Sequence, residues 1–356
     1  MGARLSTLLR AFVSNGLVAP AHLPLAVAMV LSATMRLPFS ALDRLHLGLA
    51  GSDMPPAAPV FIVGHWRSGT THLHNLMARS PLFGRISPIA SGLPDEILTL
   101  GTWLRPWLER ALPEDRHVDR VAVRPDSPQE DEIPLANIQG LSVFHALYFP
   151  QRFQHHIDRG VFFDGCTAAE IATWRRSVRT FVAKIVLHQG KPLLLIKNPV
   201  YTCRLALLRT LWPEARFVHI RRNPYEVFAS TRHYFRHLLP TLALQPFDHV
   251  DIERFVLETF VRLMRRYDEE SVTVPGDRLY EVTYERLCRA PVDVLQEIHE
   301  QLRLPDWDLA HDRVIAYLAS IEGYRTNQYA ISAAERQMVD AAWRPYVSRW
   351  QEMFDL

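Results

Sequence analysis

Four short apolar runs, each followed by a helix-like pattern, organise most of the chain. Val60–Val63 stops at Gly64, and a helical pattern runs from Thr70 to about Arg79. Leu193–Ile196 stops at Lys197, and Asn198-Pro199 then sets an N-cap residue before a proline at the first helical position. Phe217–Ile220 stops at Arg221-Arg222, followed by Asn223-Pro224, with Glu226 spaced from Asn223 almost as a capping box requires. Leu279–Thr283 precedes a helical stretch at Val292–Leu302. Strand–helix units joined by short loops predict an α/β fold, a parallel sheet flanked by helices on both faces. Such sheets bind ligands beyond the C-terminal ends of their strands. Gly64, Lys197 and Arg222 all fall at that edge.

Residues 1–50 carry a different pattern. Arg4, Arg10, Arg36 and Arg44 punctuate apolar runs that read as helical, and Gly51–Pro59 is a proline-rich linker. The division predicted is an N-terminal apolar helical segment, 1–50, and a main domain, 59–350. Leu17–Met35 is nearly all apolar but interrupted by Pro20, His22 and Pro24. A membrane span needs roughly 20 apolar residues, and no small-residue cleavage site follows at a signal-peptide distance. A buried or amphipathic helix, a helix lying on a membrane, and a span are all open readings. Residues 1–50 are therefore a candidate for peripheral membrane contact.

Composition narrows this picture. A chain of 356 residues, 48% hydrophobic and 22% charged, suits one large α/β domain with a helical addition. A net charge of +2 sets up no global field, so nucleic acid is not an expected partner. Cys166, Cys203 and Cys288 have no pair spacing, which argues against a zinc site or disulfide framework. They suggest a reducing compartment and most read as small core residues, so the expected place is the cytoplasm, at the inner face of the membrane if residues 1–50 make contact there. Only three lysines (Lys184, Lys191, Lys197) occur among 40 Lys and Arg residues, so a lysine at a strand end carries more information than an arginine.

The chemistry begins at Gly64-His-Trp-Arg-Ser-Gly69-Thr70-Thr71. It keeps the Gly-x4-Gly spacing of a phosphate loop, in which a turn at a helix N-terminus aims backbone N–H groups at an anion. The lysine that serves the β- and γ-phosphates of a triphosphate is replaced by Thr70, and a basic residue stands earlier, at Arg67. After the third strand, Arg222 offers a bidentate fork suited to phosphate, and Ser230 lies about two turns into the next helix.

Phe61-Ile-Val-Gly-His-Trp-Arg-Ser-Gly-Thr-Thr71 resembles the 5′-phosphosulfate loop of sulfotransferases that use 3′-phosphoadenosine 5′-phosphosulfate (PAPS), with Trp66 in place of the usual proline. Phe217–Ser230 resembles the same family's 3′-phosphate segment, an arginine followed eight residues later by a serine. Lys197-Asn-Pro is similar to a Lys-(Ser/Asp)-Pro segment found in some branches. The resemblance, over about residues 59–350, implies a P-loop-like fold and transfer of a sulfuryl group from PAPS to an acceptor hydroxyl. It implies that Arg67, Ser68, Gly69, Thr70 and Thr71 hold the 5′-phosphosulfate and that Arg222 and Ser230 hold the 3′-phosphate. Lys197 would stabilise charge on the bridging oxygen as its bond to sulfur breaks. No metal is required.

A base must take the hydroxyl proton. Ser127-Pro-Gln-Glu130-Asp131-Glu132 resembles an acidic segment of bacterial-type members, and Glu130 and Glu132 are the candidates. Ser127 and Glu130 also fit a capping box with Pro128 at the first helical position. His72, His74 and His145 compete for the role. Val282-Thr-Tyr284-Glu285 resembles a strand-to-helix segment of the family, and Tyr324–Tyr329 sits where a C-terminal loop closes over the nucleotide. Trp103, Trp107, Phe144, Tyr148, Phe149 and the apolar N-terminus point to a hydrophobic or lipid acceptor. The competing function is a P-loop kinase or NTPase, which Thr70 and the Arg222/Ser230 pair disfavour.

Overall fold

The computed structural model describes residues 2–51, 57–110, 125, 127–322 and 329–354. The chain forms two compact units. The first comprises 1–57, 84–194 and 238–250, and the second 58–83, 195–237 and 251–356.

The second unit holds most of the sheet that the apolar runs predict. The strands are β1 (Ala58–Val63), β2 (Gly84–Arg85), β3 (Leu193–Lys197), β4 (Arg216–Arg221) and β5 (Leu279–Thr283), in the order β2-β3-β1-β4-β5. β1 pairs parallel to β4 with Phe61 against Phe217, and β4 parallel to β5 with Val218 against Tyr280. Val60–Val63 are wholly buried, as a strand covered on both faces must be. The predicted helices follow: α4 (Thr70–Met77) after β1, Pro224–Leu242 after β4, and Pro291–Gln301 beyond β5. After β3 the chain forms a 3-10 turn, Pro199–Cys203, which Asn198 caps by accepting the Val200 N–H at 2.9 Å.

The N-terminal segment is helical as expected: α1 (Leu5–Asn15), α2 (Leu23–Met35) and α3 (Leu37–Ala50). Pro20, Pro24 and Pro38, two of them among the apparent interruptions, occupy first turns, where a missing N–H is harmless. Residues 52–56 of the linker lie outside the described residues. Among the described residues no single helix is long and apolar enough to cross a membrane, although the bent pair Pro20–Met35 and Leu37–Ala50 meets that test jointly.

Three local expectations are corrected. Ser127–Glu130 is not a helix start: the helix is Glu132–Ile138, with Asp131 at its N-cap. The Gln129 N–H donates to Ile86 O at 2.8 Å, a tertiary bond that holds the segment out of helix. Glu226 turns to Arg222, whose Nε lies 2.7 Å from its carboxylate, rather than back to the helix end. Of the three cysteines only Cys203 is buried, Cys288 being exposed and Cys166 intermediate.

Candidate active site

The loop between β1 and α4 is shaped by residues that leave little room for alternatives. Gly64 has φ +147°, and a Cβ there would come within 2.3 Å of the Ile220 carbonyl oxygen of β4. Gly69, at φ +99°, has the Tyr284 ring beside it, so a Cβ would lie 2.2 Å from that ring. Both positions need glycine for conformation and for space. Arg67 also takes a positive φ, 66°, at the crest of the turn.

The turn is then tied down. The Gly64 N–H donates to Thr202 Oγ1 at 2.7 Å, and Thr231 Oγ1 donates to Trp66 O at 3.1 Å. Trp66 is buried against the Phe235 ring, with centroids 5.9 Å apart, so the residue standing where the family has proline wedges the loop by packing. His65 is buried with Nδ1 2.9 Å from Trp66 O. Burial pushes its pKa down to about 4, so the imidazole is neutral near pH 7.

The expected donor residues converge on this turn. Arg67 Nε donates to Ser230 Oγ at 3.0 Å, joining the loop to the helix after β4. Arg222 reaches the carbonyl of Arg67, with Nη1 at 3.5 Å, and its guanidinium lies 4.5 Å from the centre of the Tyr284 ring. On the other flank Lys197, the last residue of β3, is buried with Nζ 3.4 Å from Thr71 Oγ1. Ser68 Oγ is buried and, among the described residues, lacks a hydrogen-bond partner. Three cations, an orphaned hydroxyl and the N-terminus of an eight-residue helix suit a dense anion with several oxygens.

The candidate bases belong to the first unit. Glu132 is buried and accepts from Ser142 Oγ at 2.7 Å and the Val143 N–H at 3.1 Å, so it holds its own helix to the next turn. Glu130 is half-buried in the non-helical approach to that helix. His145 is buried with its ring nitrogens facing Gly140 O at 2.9 Å and Ala136 O at 3.1 Å, and burial lowers its pKa. His74 is buried, whereas half-buried His72 sits edge-on to Tyr284, ring centres 6.2 Å apart.

Sequence reasoning missed Thr202, Thr231, Trp66's packing role and the cover that Tyr284 gives Gly69. Tyr284 stood in a quoted motif, but the two threonines left no local signal. Of the C-terminal loop, residues 324–328 lie outside the described residues. Tyr329 packs on His233 of the Ser230 helix, with ring centres 4.6 Å apart.

Comparison with known proteins adds to this geometry. Residues 59–308 match the family model described as "Sulfotransferase family". The omega-hydroxy-beta-dihydromenaquinone-9 sulfotransferases Stf3 of Mycobacterium bovis and Mycobacterium tuberculosis are each 33% identical over 298 residues, covering 82% of this chain and 74% of theirs. Among solved structures, sulfotransferase STF9 from Mycobacterium avium superposes with TM-score 0.74 at 16% identity, covering 100% of this chain and 97% of that one. STF1 from Mycobacterium tuberculosis gives 0.58 at 18% identity, covering 96% and 91%. The family match spans both the Gly64–Thr71 loop and the Arg222–Ser230 segment, the fold agrees with it, and the chain belongs to the sulfotransferase family.

Proposed function

We propose that this sulfotransferase takes its sulfuryl group from PAPS and passes it to a hydroxyl of a hydrophobic, lipid-like acceptor. The observation that carries the donor assignment is the contact of Arg67 with Ser230, supported by Arg222 at the Arg67 carbonyl. It joins the loop suited to a 5′-phosphosulfate to the pair suited to a 3′-phosphate. ATP has no 3′-phosphate for that pair, and Thr70 leaves a triphosphate without its usual lysine. The lipid character of the acceptor rests on the relative named for a hydroxylated menaquinone and on the apolar N-terminal segment.

In this reading the acceptor oxygen attacks sulfur in line as the bond from sulfur to the bridging phosphate oxygen breaks. The leaving 3′,5′-bisphosphate gains negative charge, which Arg67, Lys197 and the N–H groups of the α4 N-terminus are placed to offset. A carboxylate takes the hydroxyl proton, with Glu130 and Glu132 the candidates. As in phosphoryl transfer, most of the acceleration comes from positioning and charge. The same reading puts the enzyme in the cytoplasm, against the inner face of a membrane.

A thermal-shift comparison tests the donor. Adenosine 3′,5′-bisphosphate should stabilise the protein more than ATP at equal concentration, and labelled PAPS should then pass label to hydroxylated lipids. Preferential stabilisation by ATP would defeat the assignment.

A further inference from the structure

The third N-terminal helix is built inside out. Along α3 the buried side chains are polar: Ser40 donates to Glu96 at 2.5 Å, and Asp43, with no exposed surface, accepts from Thr99 Oγ1 at 2.7 Å and the Leu98 N–H at 3.0 Å. Lys184 Nζ lies 3.4 Å from Asp43 as well. At the break between α2 and α3, buried Arg36 pairs with Glu96 at 2.8 Å and donates to Ala3 O at 2.7 Å. The large apolar side chains point outward instead. Leu42, Leu45 and Leu49 form one stripe at helical spacing on α3, and Leu23, Val27 and Leu31 form another on α2. Leu31, Leu45 and Leu49 are 59%, 56% and 74% exposed. The face continues through Phe39, which meets Trp103 edge-on at 5.9 Å, to Trp103 and Trp107, 64% and 60% exposed.

An apolar surface of this extent is costly in water, and a helix gains nothing in water by burying its acids and displaying its leucines. The charge on the segment indicates what covers it. Asp43 is the only acidic residue in 1–50 and it is enclosed, whereas Arg10 and Arg44 are exposed. Leucines with flanking tryptophans and only basic exposed charge match the headgroup boundary of an anionic bilayer. Crossing the bilayer is a different matter, because α2 and α3 would have to pull Arg36 and Asp43 away from their partners and into lipid. We propose that the outer face of α2 and α3, with Trp103 and Trp107, docks flat on an anionic lipid bilayer. This deepens the acceptor assignment by giving a lipid-borne hydroxyl a surface from which to be presented, but it stands on geometry that the chemistry of the other unit does not touch.

Vesicle flotation of the full chain tests it, with vesicles of phosphatidylcholine alone and of phosphatidylcholine mixed with phosphatidylglycerol. The wild type should float with the mixed vesicles and much less with the neutral ones. Leu31→Glu/Leu45→Glu should lower the bound fraction at least about tenfold, because two leucines leave the apolar phase and two carboxylates replace them. Both positions face solvent, so the variant should fold and should keep its thermal shift with adenosine 3′,5′-bisphosphate. Quenching of tryptophan emission by brominated lipid should fall in Trp103→Phe/Trp107→Phe. The proposal is overturned if the wild type stays unbound, binds neutral vesicles equally well, or floats unchanged after the double substitution. A wild-type dimer that the substitutions split, without vesicle binding, would overturn it in favour of self-association. Loss of the adenosine bisphosphate shift in the wild type would strike the donor assignment alone.

Discussion

Gly69→Ala offers a quantitative test of how the loop between β1 and α4 is held. At φ +99° and ψ 6°, any side chain at this position carries a left-handed backbone strain of about 1–2 kcal/mol. The added Cβ would stand 2.2 Å from Tyr284 Cδ2 and 3.0 Å from Cε2, so the ring must retreat by more than an ångström to about 3.5 Å. Retreat disturbs its contact with the Arg222 guanidinium, a cation–π interaction worth about 0.5–1 kcal/mol, and overpacking of this kind costs about 1–3 kcal/mol. Gly69→Ala should therefore lower stability by about 2–5 kcal/mol. In a Tyr284→Ala background only the backbone strain remains, so the two substitutions should couple by about 1–3 kcal/mol in the restoring direction. Gly64→Ala supplies the contrast: its Cβ would meet the Ile220 carbonyl, a backbone wall that Tyr284→Ala cannot remove. Urea unfolding of the four members of the cycle measures the coupling, and binding of adenosine 3′,5′-bisphosphate shows whether the loop recovers. A coupling within about 0.5 kcal/mol of zero would refute the claim that Tyr284 shapes the loop.

Other outcomes follow from the same contacts. Arg67→Ala and Lys197→Met should abolish sulfuryl transfer while thermal unfolding remains cooperative, and normal turnover in both would remove them from the mechanism. His65 binds its proton less readily folded, at about 4, than its ordinary 6.5, so its contribution to stability is complete above pH 6.5 and is lost as pH falls towards 4. That loss amounts to roughly 3 kcal/mol across the window. His65→Gln should flatten the fall of Tm between about pH 7 and about pH 4.5, and an unchanged slope would place the acid sensitivity elsewhere. Glu132→Ala should destabilise by about 2–4 kcal/mol because Ser142 Oγ and the Val143 N–H both lose their acceptor. Glu130→Gln should lower kcat, and unchanged turnover would remove it as the base.

Much of the fold was legible because apolar runs closed by a glycine or a charge belong to strands buried on both faces. β5 occupies the expected residues and β4 extends the expected run by one residue at each end. What escaped was set at long range. Ser127-Pro-Gln-Glu130 has the local grammar of a helix start, yet one bond from Gln129 to Ile86 overrides it. Thr202 is 138 residues from the glycine whose N–H it accepts, and Thr231 is 165 from the Trp66 carbonyl it binds. No local pattern reports such pairs. For α3, periodicity separates a polar face from an apolar one but is silent on which of them meets the protein.

The missing lysine at Thr70 gains its meaning from the sheet order. A triphosphate loop carries its ammonium on its own helix, so the charge travels with the loop. Here Arg67 stays on the loop, but β1 lies between β3 and β4, and two further cations arrive from those neighbours. Lys197 ends β3 beside Thr71, while Arg222 follows β4 and reaches the Arg67 carbonyl from the other side. Charge delivered by adjacent strands is fixed by strand register and cannot follow a moving loop. Such a frame suits a donor held at two anionic groups while a terminal group leaves one of them. In this chain the cations at the loop's two flanks are set by the neighbouring strands rather than by the loop motif.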